Sequence, residues 1–317
     1  MAVSGWPRIL GATGTVLLVT MVVHIAILVI TGGPVSGPVS LRKPATFAET
    51  GWLTAWSVAL ILPTLHTRAW KRHVIGAAVI LFTVGETAII GFQAWRGVPS
   101  HYNFTTALDA ALMRGGAGGT AGIFLIGVIV LLVAVLRSSD TSTSLRLGVG
   151  AGIVVLLLGC VIGFVMISNN SGVYQGSVGA GFARQTAGYL GPDAATVGPQ
   201  YGLLRPATQG GDLVAPHIIG IHGLVLLAVP AVLLTRSAMT RARQLKVIAL
   251  AVTSVAVGII LLLVQALRQL PLDQLNPLAL TALALCTIAL LAAYVIAGSA
   301  LPKSLPLAAL RSRVRTE

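Results

Sequence analysis

The apolar run over residues 74–94 is interrupted by a single carboxylate, Glu86. An ionised carboxylate inside a bilayer costs several kcal/mol, so Glu86 is expected to be protonated, paired or turned toward a polar cavity. Each of those states suits proton transfer. Helical rise puts Glu86 about 12 Å from the outer end of its segment, His24 about 9 Å from the end of its own and His222 about 10 Å in, so the three are expected to share one layer. Gln93 lies on the face of Glu86 and Ile90, at spacings of seven and four, and points toward the outer mouth of any pocket that holds the acid.

Two further stretches concentrate polar chemistry. Residues 100–109 (SHYNFTTALD) mix His101, Tyr102, Asn103 and Phe104 with Asp109, and Thr105 or Thr106 is placed to cap a short helix running to Met113. Residues 210–223 (GGDLVAPHIIGIHG) open another apolar segment, where Pro216 suits a first helical turn and Asp212 can reach free amides or His217. His217 and His222 are five apart, about 140° around a helix, which suits them poorly to chelating one metal together. No metal site is expected.

The elements that must position these groups follow from composition. Of 317 residues 56% are hydrophobic and 9% charged, which excludes an ordinary soluble domain and defines a multi-pass membrane protein. About 20 apolar residues cross a bilayer, and about eight spans satisfy this, near residues 9–30, 51–66, 74–94, 117–136, 147–167, 215–235, 247–267 and 277–299. The expected fold is all-α, one integral membrane domain over residues 1–317, with the first span a retained helix rather than a signal peptide. Segment 95–116 is expected to be re-entrant or interfacial. Segment 168–214 is expected to be a long extracytoplasmic loop or lid, with Asn169 and Tyr189 among its contact residues.

The net charge of +13 follows the spans. Most basic residues, including Arg68, Lys71, Arg72, Arg137, Arg146, Arg236, Arg241, Arg243, Lys246 and the Lys303–Arg315 tail, fall on the side that also holds the termini. Both termini are therefore expected in the cytoplasm, and the basic tail reads as a topology and anionic-lipid signal rather than a nucleic-acid site. Arg42 and Lys43 fall among outer-loop charges. Cys160 and Cys286 sit in apolar spans without a CxxC pattern, which indicates packing.

Residues 95–104 (WRGVPSHYNF) and 211–222 (GDLVAPHIIGIH) resemble two signatures of a broad, poorly characterised family of bacterial multi-pass membrane proteins. That resemblance implies a bacterial inner-membrane location and no particular reaction. In general plan the chain also resembles membrane-bound terpene cyclases, including those acting on prenylated indoles: a compact helical bundle without a DDxxD motif, with isolated acids in an apolar setting. This second resemblance implies metal-independent cyclisation or isomerisation of a lipophilic isoprenoid-like substrate, without a cofactor, entering from the membrane lipid. Glu86 would be the proton donor. Asp109 or Asp212, with His101, His217 or His222, would restore or remove a proton. His24, Gln93, Trp95, Tyr102, Asn103 and Phe104 would contact the substrate, the aromatic rings stabilising a cation. Two other classes stay open: a haem-binding redox protein using haem b between His24 and His222, and a proton-linked transporter or lipid-binding protein.

Overall fold

In a chain this apolar each segment has to close its own backbone hydrogen bonds, and helices do so. The computed structural model describes residues 5–33, 39–101, 103–138, 141–169, 188–191 and 210–301. Its helices are α1 (Trp6–Thr31), α2 (Arg42–Ile61), α3 (Ala69–Trp95), α4 (Ala107–Ala111), α5 (Gly119–Arg137), α6 (Thr143–Asn169), α7 (Val214–Ile221), α8 (Gly223–Thr235), α9 (Arg241–Leu267) and α10 (Pro277–Ser299). Two-residue strands, β1 (Tyr189–Leu190) and β2 (Gly211–Asp212), pair antiparallel with Tyr189 opposite Asp212. Tyr102, most of segment 168–214 and the basic tail lie outside the described residues.

Among the described residues, seven helical stretches are long and apolar enough to cross a membrane: Trp6–Thr31, Ala69–Trp95, Ala107–Arg137, Thr143–Asn169, Val214–Thr235, Arg241–Leu267 and Pro277–Ser299. The expected span near 51–66 is different. It belongs to α2, which starts at Arg42 and carries Lys43 and Glu49 in its first half. Its buried positions, Ala45, Ala48, Gly51, Thr54, Ala55, Val58 and Ile61, recur at helical spacing, and it packs on α1, α3 and α8. Small and hydroxylated residues suit a helix enclosed by other helices, and they lower its hydropathy.

The glycine-rich stretch before α5 does not break the chain. It widens into a π turn over Leu112–Gly118 that joins α4 to α5 in one continuous helix. Thr106 caps the start, its hydroxyl accepting from the Asp109 amide at 3.1 Å. The span expected near 215–235 is likewise one helix with an irregular turn at His222, where the His222 N–H still donates to Ile218 and its carbonyl still accepts from Leu226.

α1, α2, α3 and α5 pack as one group, and α6 through α10 as another, meeting where α2 touches α8 and α5 touches α6. The seam between them is apolar, lined by Val58, Val79, Phe124, Leu131, Ile153 and Leu224. Helices in lipid gain little from burying apolar surface against each other and depend on close approach instead. Gly159 of α6 and Gly220 of α7 supply it. A Cβ on Gly159 would stand 2.6 Å from the Gly220 carbonyl carbon, and one on Gly220 would stand 2.4 Å from the Gly159 Cα. At the periphery, α1 and α10 keep most of their apolar residues on the outside, for example Val19, Ile30, Leu278 and Val295.

Candidate functional site

The buried positions of α3 include Thr83, Glu86, Thr87, Ile90 and Gln93, a stripe at helical spacing that carries the acid into the bundle. Glu86 is 3% exposed. Thr120, in the first turn of α5, donates its hydroxyl to Glu86 Oε1 at 2.7 Å. From α2, the Lys43 ammonium is close enough to act electrostatically on Glu86, and its Nζ lies 3.3 Å from His101 Nδ1. The Ser100 hydroxyl is 3.0 Å from the same nitrogen, and the Phe47 ring flanks the imidazole at 5.9 Å. Because Lys43 is a donor only, His101 Nδ1 serves as acceptor and its proton sits on Nε2. The outcome is a line of titratable groups, Glu86, Lys43 and His101, running from within α3 to the loop that follows it.

His101 lies outside the membrane-length helices, and burial holds its pKa well below the usual histidine range, with the Lys43 charge adding to the effect. Folded His101 therefore stays neutral where an unfolded chain takes up a proton, below about pH 6.5. More protons on the unfolded state mean that stability falls as pH drops below that point. Melting curves at descending pH should show this loss, and His101→Gln should flatten it; an unaltered acid slope would remove His101 from the response.

Asp109 sits at the outer end of the same face. Its Oδ1 accepts from Gln93 Nε2 and from Arg96 Nη1, both at 2.8 Å, its Oδ2 accepts from Thr106 at 2.7 Å, and the Thr105 oxygen lies 3.2 Å from Oδ2. Asn103 joins through its side-chain carbonyl, which accepts from the Thr105 amide and hydroxyl. This network ties the loop and the start of α4 to the end of α3. Phe104 lies beneath the Arg114 guanidinium at 5.1 Å, so one face of the ring is already covered by a cation.

His24 does not share the layer of Glu86. Its Nδ1 donates to the Thr20 carbonyl at 2.9 Å, its Nε2 accepts from Trp95 Nε1 at 3.3 Å, and it stands beside Gly91, more than a turn farther out along α3. A haem iron on His24 would have to displace the Trp95 bond. The remaining expected residues serve the second group of helices. Asp212 Oδ1 accepts from the Val214 and Ala215 amides and caps α7, His217 Nδ1 donates to the Gly159 carbonyl of α6 at 2.8 Å, and His222 Nδ1 donates to Ile218 at 2.8 Å. Tyr189 is half-buried beside Asp212, and partial burial with that charge pushes its phenol upward.

Two participants escaped sequence reasoning. Lys43 was legible in principle, since the spacing of Ala45, Ala48, Gly51 and Ala55 extends a helical stripe back to residue 42. Thr120 had no local signal, because its partner is 34 residues away. The chain matches no family model, no curated protein and no solved structure.

Proposed function

We propose that the chain is a multi-pass protein of the cell membrane, of the bacterial inner membrane type, with α2 as an eighth crossing and both termini cytoplasmic. Its reaction is metal-independent acid/base cyclisation or isomerisation of a lipophilic, isoprenoid-like substrate. The observation that carries this reading is the line Glu86–Lys43–His101, which begins inside a membrane-length helix. A neutral Glu86 donates its proton to an alkene reached from the lipid. The carboxylate left behind is met by the Lys43 charge and the Thr120 hydroxyl. His101, with its partner Lys43, returns a proton from the loop side or takes one at the end of the sequence.

The test is incubation of the purified protein with prenylated polyenes, with isomeric products sought by mass and retention. Glu86→Gln keeps the shape and removes the acid, so turnover should fall about 10²–10⁴-fold while the melting temperature stays close to wild type. Wild-type protein that yields no isomeric product would overturn the reading. The same line of groups supports a second one, proton-linked transport, which uptake of a chemically unchanged substrate into vesicles would select.

A further inference from the structure

Thr120 stands at a junction with more acceptors than protons. Its Oγ1 lies 2.7 Å from Glu86 Oε1, 2.9 Å from the Gly116 carbonyl and 3.1 Å from the Ala117 carbonyl. A threonine hydroxyl carries one hydrogen. It cannot serve the carboxyl and the two carbonyls at once, and which it serves depends on whether Glu86 holds a proton. We propose that Thr120 is a positioning residue that couples the protonation of Glu86 to the conformation of the π turn Leu112–Gly118.

With Glu86 neutral, the carboxyl O–H donates to Thr120 Oγ1, and the threonine hydrogen is free to bond the Gly116 or Ala117 carbonyl. When Glu86 gives up its proton, to a substrate or by way of Lys43 and His101 to solvent, the carboxylate can only accept. Thr120 then turns its hydrogen to Glu86, and the two carbonyls lose their side-chain donor. Those carbonyls belong to the π turn, whose residues 115, 116 and 118 are glycines with no side chain to resist rewinding.

Packing ties the two ends of this device to one helix. The Thr120 methyl lies 3.1 Å from where a Cβ on Gly85 would stand, and a Cβ on Gly116 would stand 2.6 Å from Ile89 Cδ1. A change at the turn is therefore felt by α3 within one turn of Glu86. Among the described residues, the charged and titratable groups around the acid are Lys43 from α2 and, behind it, His101 from the loop. Arg114 of the π turn is engaged over Phe104, and His24 of α1 is engaged with Trp95. The inference rests on the proposed function only in that Glu86 exchanges a proton.

Hydrogen–deuterium exchange of the full chain in lipid nanodiscs, followed in a peptide covering residues 112–120 and corrected for the intrinsic pH dependence of exchange, tests it. In the wild type, protection should fall about 3–10-fold between acid and alkaline pH, the equivalent of one hydrogen bond. Glu86→Gln, whose amide N–H donates to Thr120 as the neutral acid does, should hold the segment protected at both pH values. Thr120→Ser should respond like the wild type and Thr120→Val should not respond. A wild type without the response, a Glu86→Gln protein that keeps it, or a Thr120→Ser protein that loses it would overturn the proposal. Product formation is not part of the readout, so a chain that cyclises nothing still answers this question, and an active chain with an unresponsive turn refutes this inference alone.

Discussion

Gly159→Val is expected to prevent the folded bundle from accumulating. The added carbons would enter space already held by the Gly220 carbonyl carbon and the Ile221 nitrogen, each 2.6 Å from the position of the first of them. Side chains yield to overpacking at about 1–3 kcal/mol, but backbone atoms move only if α6 and α7 separate, so at least about 3 kcal/mol is expected here. That is a large share of the about 5–15 kcal/mol that stabilises a typical domain. Size-exclusion profiles and melting curves in detergent measure it. Gly150→Ala, on the same helix with no atom within 4 Å of its Cβ position, is the control for helix propensity. If Gly159→Val melts where Gly150→Ala does, the contact between the two backbones has slack and the packing argument is lost.

Asp109→Ala should be the next most damaging change. It removes the acceptor for Gln93, Arg96 and Thr106, and Asp109 itself is 2% exposed. Removing one member of a buried charge pair costs about 3–5 kcal/mol, and the 31% exposure of the Arg96 side chain reduces this to about 2–4 kcal/mol because water can reach the abandoned cation. Asp109→Asn keeps one acceptor oxygen and should lose about half as much. The double variant Arg96→Met with Asp109→Leu should recover part of the loss, since no uncompensated charge is left behind. Thermal melting of the four proteins reads the series directly. A double variant less stable than either single one would mean that the cluster works by shape rather than by charge.

Residue type and spacing revealed the helices that are long and apolar enough to cross a membrane, because hydropathy is a direct statement of what a bilayer accepts. They also identified Glu86 as a buried group and offered Thr105 or Thr106 as a cap, of which Thr106 is the one that serves. What they could not supply was register between helices. His24 and Glu86 were aligned by counting residues from uncertain ends, and a difference of little more than one turn placed His24 on Trp95 instead. Asp109 looked like a free acid from its neighbours in the chain, yet Gln93 and Arg96 come from the preceding helix to hold it. The same reasoning took Lys43 for an outer-loop charge because it began the second span at residue 51, past the polar first half of α2. Its role depends on α3 and the loop beyond it, neither of which any window around residue 43 contains.

The polarity of α2 also bears on how the protein is made. A helix with Arg42, Lys43 and Glu49 in its first half is a poor candidate to leave the insertion machinery by itself, whereas α1 before it and α3 after it partition readily. In the finished bundle it packs against both of them. With α2 as the eighth crossing proposed above, biogenesis of the first half becomes a matter of company: α2 would be taken up with a neighbour already beside it, and the nascent chain would wait for that pairing before the acid of α3 meets its lysine.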